Sequence, residues 1–162
     1  MIRILQTFCL AIIAILLLGC HKEAPQNEPV KNIEFREDGK LRIESPQGLT
    51  KGNFSIEIAE TENALHQGLK YRENMNDDQG MLFVFDGKVP YGFWMQDTYM
   101  PLDMLFIDES GVIFQIEENT TPFSEERIES MAVNKYTLEL KAGMVDKHGI
   151  EPGDRIVWSR NK

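Results

Sequence analysis

Residues 80–116 read GMLFVFDGKVPYGFWMQDTYMPLDMLFIDESGVIFQI and carry the strongest β-strand pattern in the chain. Short apolar and aromatic runs follow one another, and the turn dipeptides Asp86-Gly87 and Ser110-Gly111 separate several of them. Such runs bounded by turn residues are typical of β-strands. The pattern predicts the strands Met81–Phe85, Gly92–Gln96, Met104–Asp108 and Val112–Ile116.

The same pattern continues on both sides of this stretch. Toward the N-terminus, Phe54, Ile56 and Ile58 alternate with polar residues, as in a strand with one covered face. Toward the C-terminus we expect two more strands, Tyr136–Leu140 and Arg155–Trp158, with a helical turn over residues 142–148 between them. Only one longer helix is indicated.

That helix is predicted to begin after Thr61, a residue type suited to the N-cap. Helical spacing relates the residues that follow it, which are Ala64, Leu65, Gly68, Leu69 and Arg72. Gly68 weakens a helix, so we interpret it as a point of close approach to a strand. Several short strands with one helix crossing them predict a mainly β domain, a sandwich or barrel rather than a βαβ sheet.

The N-terminus has the features of an export signal. Arg3 precedes the apolar segment Phe8–Leu18, which is shorter than the roughly 20 residues of a membrane span. The segment ends in Leu17-Leu18-Gly19-Cys20, which resembles the lipobox of bacterial lipoproteins. The resemblance implies cleavage before Cys20 and lipidation of its thiol. The alternative is an ordinary signal peptide or a membrane-inserted helix in which Cys20 is incidental.

We therefore divide the chain into a signal peptide (1–19), a lipidated cysteine with a tether (20–52) and a β-rich domain (53–160). Removing the first 19 of 162 residues leaves 143, enough for one domain, and removes Cys9, the only other cysteine. His21–Asn32 is polar with two prolines and predicts an extended tether. Asp38-Gly39 predicts a hairpin turn within residues 33–44. By resemblance to known sorting rules, an acidic residue after the lipidated cysteine retains a lipoprotein at the inner membrane, so His21 favours the outer membrane where the cell has one.

The acidic net charge of the chain limits which classes of molecule it can bind. Loss of Arg3 with the signal peptide changes the formal net charge from −9 to −10. Nucleic acids and anionic lipid surfaces would repel such a domain, so we expect neither as a partner. No cofactor is predicted, and the partners we expect are the membrane through the lipid and a small molecule, glycan or envelope protein.

A dense group of aromatic and polar residues occupies Phe93–Asp103, FWMQDTYMPLD. Pro101 cannot donate to a β-ladder, so a strand should start just after it. On that strand both faces are apolar, which predicts that Asp103 points toward a buried surface and needs a partner. Candidate partners are the loop amides and the side chains of Arg72, Trp94 and Thr98. These three residues and Asp103 form our candidate binding site, and the alternative is that Asp103 only ties down the loop.

These motifs together resemble the domain of unknown function 192 family over residues 54–157. The matching positions are Gly68-Leu69, Arg72, Gly80–Phe85, Phe93-Trp94-Met95, Thr98, Pro101-Leu102-Asp103, Tyr136, Leu138-Glu139-Leu140 and Pro152-Gly153-Asp154. The resemblance implies a compact β-sandwich or jelly-roll-like domain, often exported, whose activity is not established. Two departures from the family are Asp97, where Asn is usual, and residues 120–134, which lack the cysteines of many members.

Three function classes remain open besides a ligand-binding domain. A hydrolase-like enzyme would need a pair such as Asp97 and Asp103, and no serine-centred or zinc-ligand spacing surrounds a histidine, so we do not favour catalysis. A Cu(I) site would use thioethers, which are found at Met81, Met95, Met100 and Met104. Methionine in apolar strands is more often core filler. A purely structural or interaction domain is the last class.

Overall fold

The computed structural model describes residues 33–162, and these form a mainly β domain. The expectations for the signal peptide, for lipidation of Cys20 and for the tether at His21–Asn32 lie outside the described residues. The elements are β1 (Gly39–Glu44), β2 (Thr50–Ala59), α1 (Glu62–Gln67), β3 (Gln79–Val84), β4 (Leu102–Ile107), β5 (Ile113–Glu117), β6 (Tyr136–Lys141), α2 (Met144–His148) and β7 (Arg155–Arg160). The predicted mainly β class is confirmed.

All seven strands belong to one sheet in the order β5-β4-β6-β3-β2-β1-β7. Neighbouring strands run antiparallel except β2 and β3, which are parallel. A parallel pair needs a crossover connection, and α1 with the loop after it provides this one. The domain is therefore a single curled sheet, where the resemblance implied a sandwich or jelly-roll-like arrangement.

The two edges of the sheet meet at one end. The Ile113 amide donates to the Asp154 carbonyl at 2.8 Å, and the Ile156 amide donates to the Gly111 carbonyl at 2.9 Å. Val112 and Arg155 form an isolated bridge at the same place. These contacts join the start of β5 to the start of β7, so the sheet forms a half-barrel that is closed at this end.

Each face of the sheet has its own apolar cluster. The inner cluster contains residues from all seven strands, among them Leu41, Ile56, Leu82, Leu105, Ile113, Leu138 and Ile156, and α2 adds Met144 and Val145. The outer cluster contains Met81, Phe83, Phe85, Met95, Met104 and Phe106. Because residues of the loops, such as Leu69 and Met100, also belong to the outer cluster, the loops cover that face of the sheet.

Two predicted segments differ from the structure. Asp38-Gly39 makes no hairpin, because β1 starts at Gly39 and pairs with both β2 and β7, so the sheet begins earlier than Asn53. Gly92–Gln96 is not a strand: Phe93 forms only an isolated bridge with Ile128. This segment crosses over the outer face and packs the Phe93 ring against Phe83 and Phe106 of the sheet.

The predicted helix is shorter than its apolar spacing suggested. Thr61 is the N-cap, and its hydroxyl accepts from the Ala64 amide at 3.3 Å, as expected. α1 ends before Gly68, whose φ of +48° turns the chain away, so Arg72 lies in the loop. A Cβ at Gly68 would lie 3.2 Å from the Phe83 ring, which confirms the predicted close approach to a strand. Within residues 33–162, neither helix has the length and apolarity of a membrane span.

Candidate ligand-binding site

A cavity of about 460 Å³ lies between the outer face of the sheet and the loops that cover it. α1 and the residues after it line one side, with Leu65, Leu69 and Lys70. Residues 91–94 and Thr98 line the opposite side, and Glu139 contributes from the sheet. Most small-molecule sites in proteins are clefts of roughly 300–1,000 Å³ with mainly apolar walls and a few polar groups. This cavity has that size and composition.

The aromatic wall of the cavity is held in place by its own packing. The rings of Phe85 and Tyr91 stack with centroids 4.2 Å apart, and Phe93 meets Phe83 edge-on at 5.1 Å. The Tyr91 hydroxyl donates to Asp86 at 2.9 Å, and its amide donates to the Asn134 side chain at 2.8 Å. Because these rings contact one another and hydrogen bonds hold the Tyr91 end, the wall is formed without a ligand.

Glu139 is the one acidic side chain from the sheet in this cavity. It lies on β6 opposite Met81 of β3 and Met104 of β4, so both of its cross-strand neighbours are apolar. The residue is 4% exposed, and no side chain or amide within residues 33–162 donates to its carboxyl. Burial raises the pKa of the Glu139 carboxyl to about 8. A carboxyl with this pKa is protonated at neutral pH, and a molecule that enters the cavity can form a hydrogen bond with it.

The mouth of the cavity carries positive charge. The Lys70 ammonium lies 5.9 Å from the centroid of the Trp94 ring, and this tryptophan is 46% exposed. Arg127 also lines the cavity, and its Nε lies 2.8 Å from a Glu129 carboxylate oxygen. Both cations therefore already have a partner at the rim.

The structure brings only two of the four predicted site residues to the cavity. Trp94 and Thr98 line it, whereas Arg72 and Asp103 do not. Arg72 is buried against β2, where its guanidinium donates to both carboxylate oxygens of Glu57 at 2.6 and 2.8 Å. It is therefore not the partner of Asp103.

Asp103 points to the inner face of the sheet, where it is fully buried. One carboxylate oxygen accepts from the Asn119 amide at 3.0 Å, and the other accepts from the Val145 amide at 2.9 Å. The carboxylate thus joins the loop after β5 to the first turn of α2. Trp94 and Thr98, which were also considered as partners, take no part.

Asp97, the other half of the alternative carboxylate pair, lies in a tight loop. Its φ of +59° is a conformation that Asp and Asn tolerate better than most residues, which accounts for either residue at this position. The Asp97 carboxylate accepts from the Tyr71 hydroxyl at 3.2 Å. Since neither Asp97 nor Asp103 lines the cavity, the acid–base pair considered for hydrolysis has no shared site.

The four methionines of the Cu(I) alternative are buried in the outer cluster. The Met95 sulfur accepts from the Thr120 hydroxyl at 3.2 Å. Across residues 33–162, no three His, Cys, Asp or Glu side chains are grouped so that they could hold a metal ion. Met81, Met95, Met100 and Met104 are packed among the apolar side chains of the outer cluster.

Sequence reasoning missed Glu139, although it lies within the motif YTLEL. The alternation of Glu139 with Leu138 and Leu140 is typical of a strand with one face in water. A signal was nevertheless present in MLFVF, because this neighbouring strand is apolar on both faces and therefore covered on both. Any strand beside it, as β6 is, also has part of its outer face covered.

Comparison with known proteins agrees with the fold. A crystal structure of a Sinorhizobium meliloti 1021 protein, described provisionally as a transcription regulator, is 41% identical, with a TM-score of 0.71 over 78% of this chain and 98% of that one. A protein of unknown function from Novosphingobium aromaticivorans DSM 12444 is 28% identical, with a TM-score of 0.69 over 74% and 84% of the two chains. No curated protein matches the chain.

The family assignment rests on most of the chain. Residues 43–158 match the family DUF192, described as Uncharacterized ACR. This range includes Trp94, Thr98 and Glu139 of the cavity as well as Asp103 and the Glu57–Arg72 pair. The chain belongs to the DUF192 family.

Proposed function

We propose that this protein is an exported, lipid-anchored binding protein whose β domain takes a small molecule into the cavity at Glu139. The observation that carries the proposal is a buried carboxyl that has no hydrogen-bond partner among residues 33–162 and lines a cavity with a preformed aromatic wall. Burying such a group costs free energy, so a ligand that satisfies it gains affinity. Glycan fragments, peptides and other envelope components are the ligand classes to screen.

The site in this proposal consists of Glu139, Trp94, Thr98 and the aromatic wall. This ring wall is formed by Phe83, Phe85, Tyr91 and Phe93. Asp103 is a structural tie, because backbone amides already satisfy both of its oxygens. Arg72 acts indirectly by holding the loop after α1 through its pair with Glu57. The transcriptional role attached to the Sinorhizobium protein is not carried over, since a net charge of −9 would repel nucleic acid.

The test is a thermal-shift screen of the full chain with a variant that fills the cavity. Leu65→Trp places a large ring at the α1 side of the cavity. Leu49→Trp is the matched control, because Leu49 is 69% exposed in the turn between β1 and β2 and does not line the cavity. A ligand at a hundred times its dissociation constant adds about 2.7 kcal/mol, or on the order of 10 °C for a domain of this size.

The proposal predicts a shift in the parent chain and in Leu49→Trp that is lost in Leu65→Trp. A ligand that shifts all three chains equally binds elsewhere and contradicts the cavity as the site. If no compound of the three classes shifts a chain that melts cooperatively, the binding role itself is wrong.

Anchoring is proposed on the motif that ends in Cys20 and is tested separately. Cells fed a labelled fatty acid should incorporate the label into the parent chain and into Cys9→Ser, but not into Cys20→Ser. Cys9→Ser is the matched control, because Cys9 is the other thiol within residues 1–20. Label in Cys20→Ser, or none in the parent chain, would contradict the anchor, and fractionation of labelled cells would locate it at the inner or outer membrane.

A further inference from the structure

Resting on the proposed function, we propose that the ligand is an organic cation: an apolar body that ends in a protonated amine or guanidinium, which pairs with the Glu139 carboxylate. The apolar body lies against the ring wall, and the cationic end reaches β6. The cavity thus selects a ligand by charge, through Glu139 on the sheet, and by shape, through its aromatic walls.

The Glu139 carboxyl has no hydrogen-bond partner in the described part of the chain. An ionised carboxylate only accepts hydrogen bonds, and no donor within residues 33–162 reaches this one. Its cross-strand neighbours Met81 and Met104 offer none. A neutral hydroxyl can bond to the carboxyl without removing its proton, whereas an ammonium or guanidinium supplies several donors and the opposite charge that the carboxylate needs once its proton has left.

The aromatic side chains that line the cavity also favour a cation. Ring faces attract cations within about 6 Å of their centroids. Phe83, Phe85, Tyr91, Phe93 and Trp94 line this cavity. The chain already makes one such contact at the mouth, where Lys70 lies 5.9 Å from the Trp94 centroid. A cationic ligand would find the same kind of surface on its way to Glu139.

The other charged groups that face the cavity lie on α1 and on two loops. Glu62 and His66 come from α1, Lys70 from the loop after it and Arg127 from the loop before β6. Arg127 pairs with Glu129, and Lys70 is held over Trp94, so both lie at the rim with partners of their own. An anionic ligand could use this rim, but it would bring its charge toward Glu139.

Binding of a cation must move a proton. Without ligand the buried Glu139 carboxyl keeps its proton at neutral pH, because its pKa is raised to about 8. Pairing with a cation breaks the carboxyl O–H bond, and the proton passes to the buffer. We expect about one proton to be released per ligand at pH 7, and fewer as the pH rises above 8.

The experiment compares three probes of nearly the same shape: 4-phenylbutylamine, 4-phenyl-1-butanol and 4-phenylbutanoate. Trp158→Phe in the full chain leaves Trp94 as the only tryptophan, so its fluorescence reports the mouth of the cavity. Calorimetry in two buffers of different ionisation enthalpy then counts the protons released. Glu139→Gln removes the charge and keeps the shape, and Lys70→Met removes a cation that lines the cavity beside Trp94.

The amine should bind at least about tenfold more tightly than the alcohol, and the butanoate most weakly. Glu139→Gln should remove the preference for the amine and the proton release, while alcohol binding stays within about twofold. Lys70→Met should keep or strengthen amine binding. Near-ultraviolet circular dichroism checks that each variant is folded.

Three results would overturn the inference, and they differ in what they leave standing. Equal binding of all three probes, blocked by Leu65→Trp, would keep the cavity as a ligand site but make the cation assignment wrong. Failure of every probe to bind the folded chain at millimolar concentration would count against both the cation and the binding cavity. Amine binding without proton release would show that Glu139 is not its partner.

Discussion

Arg72 and Glu57 form a two-point ion pair in which Nη1 lies 2.6 Å from Oε1 and Nη2 lies 2.8 Å from Oε2. Both side chains are buried, and the Arg36 amide also donates to Glu57 at 3.0 Å. The pair fixes the loop after α1 to β2, close along the chain to the residues that line the cavity. Each charge depends on the other, since the interior offers little solvation to a single ion.

Arg72→Met should therefore destabilise the domain by about 3–5 kcal/mol, because it leaves the Glu57 carboxylate buried without its partner. The double variant Glu57→Met with Arg72→Met should recover much of this loss. Urea denaturation of the two single variants and the double variant gives the coupling free energy. Additive losses would show that the two side chains do not depend on each other.

Asp103→Asn should lower the free energy of unfolding by about 1–3 kcal/mol. The side-chain amide can accept from only one of the two backbone amides, and its own NH₂ would face the other as a second donor. Asp146→Asn, at an exposed position of α2, is the control and should change stability little. Ligand affinity of the cavity should be unchanged in both variants, and a loss in Asp103→Asn alone would restore Asp103 as a binding residue.

The pH dependence of stability should carry the signature of Glu139. Its folded pKa of about 8 lies above the ordinary value of 4.5, so the folded state holds a proton that the unfolded chain has lost. The stabilisation is fully present below about pH 4.5 and is lost as the pH rises toward 8, for a total of up to about 5 kcal/mol. Melting curves of the parent chain and Glu139→Gln between pH 4.5 and 9 test this. Parallel profiles for the two chains would refute it.

Carboxylates with lowered pKa act in the opposite direction and in a different range. Lys141 and Lys147 lower the pKa of Asp77 to about 2, so its contribution is present above its ordinary pKa of 3.8 and is lost as the pH falls toward 2. The two effects do not overlap, and the difference between the parent chain and Glu139→Gln isolates the one at higher pH.

Gly68→Ala should cost about 1–3 kcal/mol, because Gly68 combines a positive φ with a ring 3.2 Å from the position of a Cβ. Gly143→Ala is the matched control: its φ is +86°, but nothing lies within 4 Å of a Cβ there. The difference in urea midpoint between the two variants reports the Phe83 contact together with the ψ of −138° at Gly68, which L residues tolerate less well than the ψ of 0° at Gly143. Equal losses would mean that backbone strain alone explains the effect.

Features that depend on neighbouring residues were predicted well. Six of the predicted strands correspond to β2, β3, β4, β5, β6 and β7, because alternating or continuous apolar runs and turn dipeptides are local signals. The Thr61 cap is local in the same sense. The resemblance to the family also placed the motif residues in the domain correctly.

Features that depend on long-range packing were predicted poorly. Residues 92–96 have the composition of a strand, yet they pack across the sheet, since aromatic side chains suit both roles. Asp103 was correctly expected to be buried, but its donors come from Asn119 and Val145, which are distant in sequence. Glu139 was missed because nothing local shows that loops cover the outer face of β6.

β1 pairs with β7 at six positions, so the first strand of the sheet receives its outer neighbour only from a strand more than a hundred residues later in the chain. A nascent chain that has emerged as far as α2 has β1 as an open edge and lacks Ile156 in its inner cluster. Contacts this distant in sequence form late, so the sheet is completed only after β7 has emerged. Until then the polypeptide can still be threaded through a membrane pore, which fits the export that we propose.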